Sequence, residues 1–254
     1  MVIDEVFPNP TVKQVIFQIR YPNLFYIENR IGDLQLKIMK MFPNSSLLQK
    51  QQIVFTEIGP DGNFDVPENP DEDMTKKVWQ FESEKGFKLN VTSNSLDIVS
   101  DYHKTYNIDE EGVEKFRDVI EFVLNSFHEI MMVPIINRIG FRYIDECPLP
   151  SKDNDTFKEY YNSVFPIDRF NLEYVTEMDF KTVFKKDDYK LRYIESLQNT
   201  GDKYYLILDF DGFTHNIDFE NYLEVTDRLH EIILDEYEKT ITNKVKRHMR
   251  CEEE

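Results

Sequence analysis

The sequence predicts an α+β protein of two tandem similar halves, each running strand, helix, antiparallel meander, long helix. Three observations point there. Apolar residues alternate in short segments such as 11–21, they recur at helical spacing in 113–132 and 218–249, and the order of elements begins again after residue 132. The expected halves are 1–132 and 133–254, packed as one globular unit.

In the first half, Val15, Phe17, Ile19 and Tyr21 fall on one face of the strand at 11–21, and Pro22-Asn23 ends it. Ile31, Leu34, Ile38 and Met41 then share one side of a helix over 27–42. A strand is expected at 46–58, and three prolines among carboxylates make 59–73 a loop. Segments 77–83, 86–92 and 95–103 read as a meander, with Asn94-Ser95 as one turn. Phe116, Ile120, Val123 and Phe127 mark the apolar stripe of the helix at 113–132.

In the second half, 135–145 is a strand that Pro148 and Pro150 are expected to stop, and 156–165 is a short helix. Strands at 172–185, 189–198 and 203–210 follow, then one long helix over 218–249 with Asp218 as its N-cap. Ile19-Arg20-Tyr21 and Phe141-Arg142-Tyr143 are the most alike strings of the two opening strands. A sheet curled around a long helix buries one face of each meander. That order resembles the half-repeat of the TATA-box-binding-protein fold, and is similar to hot-dog and helix-grip folds. It is a resemblance of architecture, which carries no function.

The bulk composition narrows the function classes. With 20 Phe and 14 Tyr against 8 Gly and 11 Pro, the 254 residues belong to a folded chain with a real core. A formal charge of −18, from 48 acidic and 30 basic residues, argues against a phosphate-reading surface. It serves solubility, or makes an acidic surface that mimics nucleic acid or docks on a basic partner. Cys147 and Cys251 stand far apart, with no ligand-spaced pair, which fits a reducing compartment. Met1 to Glu5 show no leader pattern, and no apolar run approaches bilayer length, so a cytoplasmic protein is expected.

Phosphate loops, nucleophile elbows and zinc-binding spacings are absent from the sequence, and no cofactor is expected. Five histidines, among them His128 and His230 on the two long helices, read as surface or helix-packing residues, a metal site requiring them to converge with carboxylates. Asp209 and Asp211 flank Phe210 at an expected strand end near His215, a set able to hold a divalent cation, to do acid–base work or simply to form a turn. Arg138 and Arg142 share a strand face, and Arg20 is the counterpart of Arg142 in the first half. Three such guanidiniums could grip a carboxylate or phosphate, or pair with the abundant acids. Lys244, Lys246 and Arg247 crowd the last helix, as a partner-docking patch or as charges that complement the helix dipole.

Four strings carry a family resemblance. They are Asn9-Pro10 through Arg20-Tyr21, Trp79 to Ser83 leading into Ser95 to Ile98, Asn137 to Ile144, and Ile241-Thr242-Asn243-Lys244. In this order the chain resembles a sporadically distributed family of uncharacterised prokaryotic proteins of about this size. It departs from that pattern at Asn107-Ile108-Asp109, where an aromatic often stands. The resemblance implies no catalytic set, and the family's patchy occurrence implies mobile-element or antiphage-defence neighbourhoods. The leading expectation is a non-catalytic protein-binding or assembly component, with a protein partner or a second copy, and with neither nucleic acid nor membrane. Its competitors are a sensor of small anions held by Arg20, Arg138 or Arg142, a metal-dependent enzyme, and an acidic nucleic-acid mimic.

Overall fold

Period-two alternation places one apolar and one polar face on each strand, and such strands are stable only when neighbours take up their backbone groups. In the computed structural model, which describes residues 5–51, 75–101, 103–201 and 203–252, they do so in a single open antiparallel sheet. The strands are β1 (Val12–Arg20), β2 (Asn44–Gln51), β3 (Thr75–Glu82), β4 (Phe87–Val91), β5 (Ser95–Ser100), β6 (Ile135–Leu149), β7 (Asp179–Lys186), β8 (Tyr189–Thr200) and β9 (Lys203–Asp218). Their spatial order is β2-β3-β4-β5-β1-β6-β9-β8-β7. The helices are α1 (Ile27–Ile38), α2 (Phe116–Met131), α3 (Asn154–Tyr160), α4 (Tyr222–Thr240) and α5 (Asn243–Met249). The loop expected at 59–73, and the expected strand beyond Gln51, lie outside the described residues.

This corrects the expectation of two tandem halves, each with its own sheet around its own helix. β1 and β6 pair from Val12 opposite Asp145 to Arg20 opposite Arg138, so one hydrogen-bond ladder runs across the whole molecule. The physical reason is edge satisfaction: each strand would otherwise expose a row of unpaired N–H and C=O groups. The α+β class stands, and the likeness to sheets curled around single helices does not.

One face of the sheet forms the core. Phe17 and Ile19 of β1, Leu96 and Ile98 of β5, Ile139 and Phe141 of β6, and Leu208 and Phe210 of β9 are all fully buried. Phe116 of α2 stacks on Phe87 and Phe141 with ring centroids 5.9 and 6.0 Å away. α4 lies across β6 and β9. Gly212 sets that approach, since a Cβ there would stand 3.2 Å from the Leu229 side chain and 3.4 Å from Ile233. Burying Leu229 and Ile233 in this way stabilises the fold by about 1.5–3 kcal/mol each.

Several boundaries differ from the sequence reading. β6 runs through Pro148, which pairs with Tyr205 of β9. The β1 ladder has already ended by then, so the missing N–H of Pro148 faces no neighbouring strand. Its carbonyl on that side accepts from the Tyr161 hydroxyl. β9 continues to Asp218, so Asp209, Asp211 and His215 sit inside a strand and not at its end.

The expected long helix is split. Ile241 leaves α4 in an extended conformation and bridges Tyr161, and the Thr242 side chain accepts from the Lys244 N–H to cap α5. Asp218 precedes a short 3-10 turn and makes no side-chain cap. Among the described residues, no helix is long and apolar enough to cross a membrane.

Replacing Gly212 with valine forces α4 away from β9 and lowers stability by about 1–3 kcal/mol. Urea denaturation of Gly212→Val measures this, and an unchanged midpoint contradicts the close approach.

Candidate functional site

The outer face of the sheet gathers most of the residues singled out from the sequence. Arg142 makes a two-pronged pair with Asp209, Nε to Oδ1 at 2.7 Å and Nη2 to Oδ2 at 2.6 Å. Arg138 donates to Asp211 at 3.2 Å and to Gln18 at 3.1 Å, and lies 4.7 Å over the Phe213 ring. Gly140 leaves room for it, because a Cβ there would meet the guanidinium at 2.5 Å. Arg192 donates to the other oxygen of Asp211 at 2.5 Å. Arg20 is exposed and donates to Gln18 at 3.1 Å.

Asp209 and Asp211 are therefore engaged by guanidiniums. Among the described residues no group of three His, Cys, Asp or Glu side chains is arranged to hold a metal ion. His215 packs edge-on against Phe213, 5.5 Å between centroids, and burial and the nearby Arg138 push its pKa down. On the last helix, Lys244 pairs with Glu159 at 3.1 Å and Lys246 with Glu238 at 3.3 Å, while Arg247 is exposed. Arg138, Arg142, Lys244 and Lys246 thus take part in intramolecular ion pairs.

The other face holds a cleft of about 390 Å³ beneath α4. Thr11, Val12, Tyr143 and Asp145 form its floor, and His230, Ile233, Leu234 and Tyr237 of α4 form its roof. His103 and Tyr106 close one side, Phe7 and Met249 line it as well, and exposed Lys104, Asn107 and Glu231 stand at the rim. The aromatic wall is held by stacking and hydrogen bonds. His230 stacks on Tyr106 with centroids 4.1 Å apart, and its Nδ1 lies 3.0 Å from the Tyr143 hydroxyl. Tyr106 donates to Asp227 at 2.5 Å, and Arg117 of α2 grips the same carboxylate at 2.8 and 2.9 Å, which ties α2 to α4.

Asp145 is the unusual member. It is 5% exposed, and Thr11 Oγ1 donates to its Oδ1 at 2.9 Å. Thr11 Oγ1 also lies 2.6 Å from the Tyr237 hydroxyl. With its single proton on Asp145, Thr11 accepts from Tyr237, so a hydroxyl chain runs from α4 to the carboxylate. Among the described residues no cation pairs with Asp145 and no second donor reaches it. Burial pushes its pKa from the usual 3.8 up to about 7, against the opposing effect of the Thr11 hydrogen bond. Burial also pushes His103 down to about 3, helped by the neighbouring His230, and His230 down to about 4, so both rings are neutral at pH 7. The buried Cys147 thiol is held well above its usual value by burial and is unreactive.

The cleft and the arginines lie on opposite faces of the sheet, so Arg20, Arg138 and Arg142 do not line it. Asp145, Tyr143 and Tyr237 escaped the sequence reading, although a signal existed. Asp145 shares the parity of the buried Ile139, Phe141 and Tyr143, and an acid on the buried parity of a strand needs a reason. No family model, curated protein or solved structure matches the chain.

A pH series tests the state of Asp145. An acid whose folded pKa exceeds its unfolded one keeps its proton in the fold after the unfolded chain has lost it. Stability therefore falls as pH rises from about 4 to about 7. Asparagine has no proton to lose, and the contribution of the two histidines is common to both proteins. Asp145→Asn thus differs little from wild type near pH 4 and is more stable by about 2–4 kcal/mol at pH 8. Urea denaturation across that range reads the difference, and a gap that does not change with pH contradicts the assignment.

Proposed function

We propose that this chain is a non-catalytic small-molecule-binding protein whose site is the cleft between α4 and the β1–β6 floor. One observation carries the reading: a predominantly apolar cavity of ligand size is floored by a mostly buried carboxyl whose one hydrogen-bond partner among the described residues is the Thr11 hydroxyl. Elsewhere the same fold provides for its buried acids. Glu195, fully buried, accepts from the Ser163 and Tyr193 hydroxyls and from the Val164 N–H at 3.2 Å. Asp209 and Asp211 have arginines. Asp145 alone of these four has a single hydroxyl partner, and it lines a cavity. A buried polar group without its full set of partners costs stability, and such costs concentrate where a protein binds something.

The remaining groups suit recognition better than turnover. The two histidines are neutral, one ring nitrogen of His230 is taken up by Tyr143, and the nearby thiol is protonated. Aromatic walls with a few placed polar atoms are the usual construction of a small-molecule site.

A thermal-shift screen of amphipathic molecules with up to about 20 non-hydrogen atoms tests the proposal, run on wild type and on Leu234→Trp, which fills the cleft from its roof. A ligand at one hundred times its Kd adds about 2.7 kcal/mol of stability. Stabilisers of the wild type are expected to lose their effect on Leu234→Trp. Equal shifts in both proteins, or no stabiliser at all, refute the site.

A further inference from the structure

We infer that the ligand of the cleft is an apolar molecule bearing a protonated amine, whose ammonium sits against Asp145 while its hydrocarbon part lies among the aromatic side chains. The inference rests on the reading of the cleft as a binding site and names the chemical class that site takes.

The charge balance of the cleft points to a cation. Its charged lining residues are Glu5, Asp145, Glu231 and Lys104, three acids to one base. Glu5 is held by Arg250 and Glu231 by Arg228, while Lys104 is exposed at the rim. That leaves the Asp145 carboxyl as the buried charge site to be matched, with one oxygen served by Thr11 and the other without a donor among the described residues. An ammonium supplies both a further donor and the opposite charge, and charge-assisted hydrogen bonds are the strong ones. A carboxylate or phosphate in the same place would set like charges together, since Arg138 and Arg142 are bound to Asp211 and Asp209 on the far face and Arg250 at the rim is bound to Glu5.

The walls fit the same class. Tyr106, Tyr143 and Tyr237 offer aromatic surface around the carboxyl, and a cation beside such faces gains from the ring quadrupoles. His103 and His230, neutral at pH 7, add no positive charge that would repel it. Across the whole chain a formal charge of −18 raises the local concentration of cations.

Three probes with one hydrocarbon chain isolate the head group: n-octylamine, n-octanol and octanoate, titrated by calorimetry at pH 7.5 into wild type, Asp145→Asn and Leu234→Trp. Octylamine, protonated like a lysine side chain at this pH, is expected to bind wild type about tenfold or more tighter than octanol, with octanoate weakest. Asp145→Asn is expected to bring amine and alcohol within about twofold of each other, and Leu234→Trp to weaken all three. A crystal structure of the wild-type complex, with the amine nitrogen at hydrogen-bond distance from Asp145, gives the same answer if the asparagine variant does not fold. Octanol or octanoate binding as tightly as the amine, yet still lost in Leu234→Trp, overturns the amine inference and leaves the binding site standing. Absence of binding by all three, or binding indifferent to Leu234→Trp, overturns both.

Discussion

The antiparallel pairing of β1 with β6 is the contact on which the rest of the structure depends. Among the described residues it is the one ladder joining the strands before α2 to those after it, and it sets Phe17 opposite Phe141 at the centre of the core. Its far end also builds the cleft. The register shifts between Val12 and Gln14, and just before that bulge the Thr11 carbonyl accepts from the Glu146 N–H at 2.9 Å. This is what brings the Thr11 hydroxyl beside Asp145. Bulges re-aim side chains at the margins of sheets, and here the re-aimed residue is the carboxyl's one partner.

The two faces of the sheet deal with charge in opposite ways. On the outer face, Arg138, Arg142 and Arg192 are matched by the buried carboxylates of Asp209 and Asp211, and the pairing offsets the solvation those charges lose. On the inner face, Asp145 stands among aromatic rings with a hydroxyl and, among the described residues, no cation, and burial raises its pKa to about 7. The fold therefore retains a group that costs it stability at neutral pH, in the place where α4 leaves space. A mostly buried carboxyl, aromatic walls and a cavity thus occur together at one place in the fold.

Much of the local structure is legible in the sequence, because period-two and helical spacings are local properties. β1, β4 and β5 fall within a few residues of where alternation puts them, and α2 follows its stripe from Phe116 to Met131. What the sequence conceals is which edges meet. Nothing in residues 12–20 or 138–145 by themselves says that they pair, so whether the two expected sheets lie side by side or pack together is not legible. Pro148 misleads for the same reason, since a proline stops a strand only where its N–H is needed. The split at Ile241 is a tertiary effect too, imposed by the bridge to Tyr161. The site is hidden further: Arg138, Arg142, Asp209 and Asp211 attract attention as charged residues and prove to be one another's partners. Asp145 attracts little until its parity on β6 is followed past residue 144.

The most direct measurement is the titration of Asp145 itself, followed through its side-chain carboxyl carbon by NMR on selectively labelled protein. The account predicts a midpoint near pH 7, set by burial beneath α4. A midpoint at or below about 4, the range of a solvated or cation-paired aspartate, would contradict it.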